Sequence, residues 1–321
     1  MTVPTNHPSL PLAFQSHPQA WLHALWKFSR PHTIIGTSLS VFSLYFIALA
    51  ESKNLPPQVA PSPQLILPAL LACLWGNLYI VGLNQLTDIN IDRINKPRLP
   101  LASGEFTPKQ GTRIVMLSGV LSIIIAASQG VWLLAVVTAS LMIGSAYSLP
   151  PVRLKRSPFW ASMCILGVRG GIVNLGLFLH FTQDWAYISF PASVLLLTAF
   201  ILSFTFTIAI FKDMPDVEGD RQYSINTFTI RLGASTVFNL GRWILTATYM
   251  GMVITGLIVP IANPWILSTV HIGIAGFMWF FSFQVDLTNQ ASISYFYQMI
   301  WKLFFLEYLI YPLILSISHP L

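Results

Sequence analysis

Nine apolar runs of close to 20 residues recur along the chain, and they leave it few ways to fold. They fall at 32–50, 65–87, 111–128, 131–147, 158–181, 188–211, 236–259, 264–284 and 294–317, each bounded by charges, prolines or glycines. A helix of about 20 residues crosses a hydrocarbon layer of roughly 30 Å, and inside that layer every backbone polar group must be satisfied within the element itself. The pattern predicts an all-α integral membrane protein with nine transmembrane helices. Composition agrees, with 54% hydrophobic and 9% charged residues. A length of 321 residues could hold two soluble domains, but the connections here are short, so one polytopic bundle over 1–321 is the economical reading.

The remaining composition removes several classes. A formal charge of +6 could mark a nucleic-acid binder, yet the basic residues stand beside apolar runs. They set topology and offer anion contacts. Cys73 and Cys164 each lie inside an apolar run and read as small buried hydrophobes, not as a disulfide or metal pair. The first 30 residues have neither the apolar core of a secretory signal nor the Arg/Ser-rich character of a transit peptide, so the chain is expected to enter its membrane as written. Residues 20–31, AWLHALWKFSRP, put Leu22, Leu25 and Trp26 on one face with Lys27 and Arg30 near the end, which predicts an interfacial helix stopped by Pro31.

With a cytosolic N-terminus, the loop Lys and Arg residues from Lys27 to Arg242 gather on the cytosolic side, and the opposite side keeps Lys53. The polar connections after the second, fourth and sixth runs share that basic face, so the chemistry is expected there. Two of those connections resemble each other. NQLTDINIDRINKPRLPLASGEF, from residue 84, spaces Asn84, Asp88 and Asp92 by four; KDMPDVEGDRQYSINTFTIRLG, from residue 212, spaces Lys212, Asp216 and Asp220 in the same way. Residues four apart share a helix face, and an even number of spans between the copies brings both stripes out on one side.

Two carboxylates a turn apart at a bilayer edge repel and lose solvation, which calls for a compensating cation. Mg²⁺ prefers oxygen ligands and is commonly shared between one or two carboxylates and substrate phosphates. The basic residues after the motifs, Lys96, Arg98, Lys155, Arg156 and Arg221, suit the oxygens of a diphosphate. The bland alternatives are solvated helix ends for the acids and topology for the bases. A transporter of divalent cations or organic anions is the competing class, although transporters place binding groups near the midplane in broken helices. Within the spans, Arg169, with Asn174 nearby, is a functional candidate by default, against a structural pair with an acid such as Glu307. Lys302 reads as snorkelling to the interface, and His180 and His271 as interfacial residues near span ends.

The two quoted stretches resemble the UbiA superfamily of intramembrane prenyltransferases, whose signature is NxxxDxxxD followed by a second DxxxD. Gln85 and the INKP run are similar to the homogentisate prenyltransferase branch, and the resemblance extends through RPHTIIGT and YSLPPVRLKR to essentially the whole chain. It implies nine helices around a central cavity, capped by cytosolic loops at 84–110 and 212–235. It makes Asn84, Asp88, Asp92, Asp216 and Asp220 the Mg²⁺-diphosphate ligands, with the four aspartates catalytic. It assigns diphosphate contacts to Lys96, Lys155 and Arg156 and places Tyr147 near the prenyl donor. Lys212 and Asp213 belong to the second motif. The implied reaction is transfer of phytyl from phytyl diphosphate to homogentisate with decarboxylation, giving the tocopherol (vitamin E) precursor 2-methyl-6-phytylbenzoquinol. Solanesyl or geranylgeranyl donors are the near alternatives, and the implied site is a cyanobacterial-type plasma or thylakoid membrane. Arg30, His32, Arg169 and Asn174 remain unranked as contacts for the aromatic acceptor.

Overall fold

The computed structural model describes residues 14, 16–185, 190–223 and 225–318, with the side chains of residues 54 and 57 outside the description. A short helix α1 (Pro18–Phe28) precedes α2 (Pro31–Glu51). Pro31 does not stop the first helix, as expected from the sequence; it opens the second, where proline needs no N–H partner. The chain turns between them at Arg30, whose φ is +52°. On α1, Leu22 and Trp26 are exposed, while Ala24 and Phe28 are fully buried. Two residues of the expected outward face, Leu22 and Trp26, do face out, but Leu25 packs inward with Ala24 and Phe28 and helps hold the helix to the bundle.

Then come α3 (Ile66–Thr87), the short α4 (Ile89–Asn95) and α5 (Pro100–Ser103), α6 (Pro108–Ala127) and α7 (Val131–Ser148). Thr107 and Gln110 form a reciprocal capping box that starts α6. The fifth span consists of α8 (Pro158–Leu166), a π-helical turn over Gly167–Ile172 and α9 (Val173–Phe181). After α10 (Ala192–Phe211) lie the short α11 (Val217–Gln222) and α12 (Phe228–Leu232), then α13 (Ala234–Ile258), α14 (Pro264–Ser282) and α15 (Gln290–Ser318).

The nine expected runs thus appear as nine long helical segments among the described residues, and 8 of them are apolar and long enough to cross a membrane. The ninth, α13, has 25 residues but carries Asn239 and Arg242. The Arg242 guanidinium lies over the rings of Phe238 and Trp279, at 4.9 and 4.7 Å from their centroids. That contact offsets part of its cost beside hydrocarbon.

Helix pairing relies on small residues, as it does wherever lipid supplies no hydrophobic drive between helices. On α3, Gly82 faces Phe28 and Val115, and a Cβ there would stand 2.8 and 2.7 Å from their side chains. Gly119 of α6 receives the Tyr79 ring, and the Ser122 hydroxyl donates to the Ala72 carbonyl at 2.7 Å.

His180 and His271 are not interfacial. Both are fully buried, and Nε2 of His271 meets Glu307 at 3.2 Å. Glu307 is therefore the partner of a histidine and not of Arg169, because α15 directs it toward α14. Lys302 is exposed, in keeping with snorkelling.

Gly82→Ala should cost about 1–3 kcal/mol of stability, because the Phe28 ring it meets is fully buried and has little room to yield. Gly273→Ala, with nothing within 4 Å of the new methyl, should leave the unfolding midpoint in detergent unchanged or slightly raised. Equal midpoints for the two variants would contradict this packing.

Candidate active site

Both acidic motifs are built the same way. A membrane span ends, an aspartate takes the non-helical position, and a short helix starts from it. Asp88 follows α3 and precedes α4; Asp216 follows α10 by a turn and precedes α11. The first stripe is therefore not one unbroken helix face, as the spacing suggests, but a bend at Asp88. The four-residue spacing survives the bend: Asp92 N–H donates to the Asp88 carbonyl at 2.8 Å, and Asp220 N–H to that of Asp216 at 3.1 Å. Asn84 Nδ2 donates to Asp88 Oδ2 at 3.2 Å, so the first two side chains of the stripe stay together across the bend.

The two motifs meet. Asn95, the last residue of α4, accepts from the Gly219 N–H at 3.0 Å and donates to Asp220 Oδ1 at 3.4 Å. A Cβ on Gly219 would collide with the Asn95 amide, so that position requires glycine. Lys96, one residue on, forms an ion pair with Asp216. Asp92 and Asp220 are buried beneath this junction. Burial lifts the carboxyl of Asp92 to about 6, despite the opposing pull of Arg30 and Lys96. Burial likewise raises Asp220 to about 7, helped by Asp213 and Asp216.

The basic loop after α7 closes on the same place. Lys155 donates to Asp88 Oδ2 at 2.6 Å and to the Thr87 hydroxyl at 2.8 Å, and Arg153 donates to Asp88 Oδ1 at 3.0 Å. Burial brings Lys155 down to about 8, with Asp88 holding it from falling further. Beneath the junction opens a cavity of about 270 Å³, walled by α2, α3, α7, the fifth span, α10 and α15. Asn84, Tyr147, Arg169 and Lys212 line it, and Lys212 donates to the Tyr147 hydroxyl at 3.1 Å. Cys73 and Cys164 are free thiols on its wall and only half-buried, so the reading of both as core hydrophobes needs that adjustment.

Of the residues named from sequence, Asn84, Asp88, Asp92, Lys96, Lys155, Asp216 and Asp220 come together here, with Tyr147, Arg169 and Lys212 on the cavity below. Arg98, Arg156 and Arg221 do not join them. Each is exposed and pairs with no motif acid among the described residues. The three-residue turn Leu154–Arg156 points Lys155 inward and Arg156 outward, and Arg153, at φ +37°, takes the inner place instead. Sequence reasoning gave Arg153 a topological role and passed over Asn95. For Asn95 a signal existed, since it lies one helical turn beyond Asp92 on the same face.

Could this junction hold Mg²⁺? Among the described residues, no three His, Cys, Asp or Glu side chains already form a cage for an ion. The donors present are carboxylate and amide oxygens, and Asp92 Oδ2 is buried without any partner. An orphaned carboxylate oxygen among oxygen donors fits a hard cation that takes part of its shell from phosphate. The residues fit the group.

The fold is thus a polytopic helical bundle whose paired acidic caps close an apolar cavity. The chain belongs to the UbiA prenyltransferase family, whose model matches residues 39–306. It is 51% identical to the homogentisate phytyltransferase of Synechocystis sp., over 94% of this chain and 98% of that protein. It is 40% identical to homogentisate phytyltransferase 1 of Arabidopsis thaliana, over 91% of this chain and 75% of that one. Its fold matches a UbiA homolog from Archaeoglobus fulgidus, solved with GPP and Mg²⁺, at a TM-score of 0.64 and 16% identity, covering 90% of this chain and 99% of the other.

If Asn95 and Gly219 hold the two caps in register, Asn95→Ala and Gly219→Ala should each lower prenyl transfer by about 10- to 100-fold, the range typical of residues that orient metal-binding groups. Unfolding midpoints within a few degrees of the parent would locate the loss at the site, and full activity in both variants would contradict the clamp.

Proposed function

We propose that this protein transfers a phytyl group from phytyl diphosphate to homogentisate with loss of CO₂, giving 2-methyl-6-phytylbenzoquinol, a tocopherol precursor. The observation that carries the proposal is the junction itself, where two acidic caps and three basic side chains meet directly above an apolar cavity. The named activity of the 51% identical relative supports the choice of substrates. The basic loop residues favour a cytosolic position for the caps, in a cyanobacterial-type plasma or thylakoid membrane.

Asn84, Asp88, Asp92, Asp216 and Asp220 are the residues that would hold Mg²⁺. When bound, the metal supplies charge neutralisation to the diphosphate, which makes it a better leaving group. Arg153, Lys155 and Lys96 stand around the same carboxylates and present N–H donors to phosphate oxygens. As the allylic C–O bond breaks, its electron pair leaves with the diphosphate. A new C–C bond then forms between the allyl carbon and a ring carbon of homogentisate other than the one bearing the acetate, since phytyl and methyl occupy different carbons in the product. The ring gives up the proton on that carbon. The acetate arm loses CO₂ and its methylene takes up a proton to become methyl, so atoms and charge balance. Cavity residues such as Val136, Val137, Ile143 and Val168 give the prenyl chain an apolar wall and keep water from the allylic cation.

Asp88→Asn and Asp216→Asn should each reduce transfer by at least about 100-fold, comparable to loss of a principal electrostatic group in other enzymes. Chelation of divalent cations should stop turnover, and added Mg²⁺ should restore it. Undiminished transfer in both variants would remove the metal-site assignment. In a donor panel with purified protein, phytyl diphosphate should outpace the solanesyl and geranylgeranyl compounds; equal rates with solanesyl diphosphate would remove the phytyl assignment.

A further inference from the structure

Three cationic side chains from lysine or arginine line the cavity: Arg30, Arg169 and Lys212. Two already have polar partners. Arg30 donates to Asn84 Oδ1 at 3.3 Å, within the first acidic motif. Lys212 lies 3.6 Å from Asp213 and donates to the Tyr147 hydroxyl. Arg169 makes no ion pair or hydrogen bond among the described residues. The acid that could have served it, Glu307, faces His271 instead. What holds the Arg169 guanidinium is aromatic: it lies 5.2 Å from the centroid of Trp301 and 5.6 Å from that of Phe304. Those rings fix its position and leave the N–H fork unoccupied.

Arg169 also stands where the fifth span departs from regular helix. The π-helical turn Gly167–Ile172 contains it, and such turns displace side chains locally and recur at functional sites. Space has been made for the guanidinium on α2, where a Cβ on Gly36 would stand 2.9 Å from Arg169 Nη1. Gly36 is six residues along the chain from Arg30, or about 9 Å of helix rise. The fork therefore lies roughly one ring and a short arm below the layer of the acidic caps. The His32 ring, 4.9 Å from Trp301, flanks the intervening space.

We propose that Arg169 binds the carboxylate of the aromatic acceptor, and that this flank of the cavity, with Trp301 and His32 beside the ring, is the acceptor subsite. A lone guanidinium within a membrane span demands an anion, and the one anionic group in the reaction that is not a phosphate is the acceptor's acetate. Asn174, an earlier candidate, is already committed: it is fully buried, accepts from the Tyr308 hydroxyl at 2.8 Å and donates to the Gly170 carbonyl at 3.0 Å. The inference rests on the proposed transfer to homogentisate. It places the ring between an anchored carboxylate and the leaving diphosphate, so the acceptor can turn only about the arm that joins them.

The test compares homogentisate with its methyl ester, which keeps the ring and hydroxyls but lacks the charge. With the parent protein, the ester should compete about 10- to 100-fold more weakly than the acid, as expected for losing a charged hydrogen bond. Arg169→Gln should raise the KM for homogentisate by the same factor, close the gap between acid and ester, and leave the KM for phytyl diphosphate unchanged. Arg169→Lys, which keeps the charge and loses the fork, should fall between. If the ester competes as well as the acid, or if Arg169→Gln moves the donor KM and preserves the gap, the subsite is overturned. Should the glutamine variant fail to fold, the acid-against-ester comparison on the parent protein still decides. Failure of the parent to transfer phytyl to homogentisate at all would instead overturn the proposed function.

Discussion

The structure is organised around the need to keep carboxylates at the edge of a hydrocarbon layer. Four aspartates crowd into one junction, and two of them, Asp92 and Asp220, are buried. Such a cluster is costly unless each charge is met. The chain meets three of the four from its own side chains, with Lys96 on Asp216, Arg153 and Lys155 on Asp88, and the amide of Asn95 on Asp220, while Asp92 keeps a buried oxygen without a partner. Every span that carries one of these groups is thereby tied to the others at one end. The apolar chamber below shares that tie, because three of its walls, α3, α7 and α10, are the helices so joined.

The gross architecture was legible in the sequence because the bilayer permits so little else. Runs of about 20 apolar residues have few alternatives to a spanning helix, and among the described residues a long helical segment stands in each of the nine runs, 8 of them apolar enough to cross a membrane. The acidic spacing was legible for a related reason, since a repeat of four survives even where the helix breaks at Asp88. Which bases would turn inward was not. In PVRLKR the choice of Arg153 and Lys155 over Arg156 depends on a positive φ at Arg153 and a three-residue turn. Neither leaves a mark on residue type, because αL conformations usually advertise themselves through glycine or asparagine.

Buried polar residues inside the bundle were the other failure. Sequence position put His180 and His271 near span ends, yet both are enclosed, and Glu307 turns to His271 and away from Arg169. Partner choice among polar residues in spans depends on helix rotation, which a periodicity of 3.6 fixes too loosely when nearly every face is apolar. Where a helix is hydrophobic all round, the sequence cannot indicate which residue looks at which neighbour.

The pairing of Asp88 with Lys155 and Arg153 has one more implication. The site supplies its own counter-ions: Arg153 and Lys155, cations suited to phosphate oxygens, both rest on the Asp88 carboxylate. On the proposed function, a divalent ion taking Asp88 as a ligand would free both of those cationic side chains for phosphate oxygens in the space beside it. Metal binding and diphosphate binding would then be a single exchange of partners around Asp88, in which Arg153 and Lys155 pass from one anion to another without standing unpaired at the membrane edge.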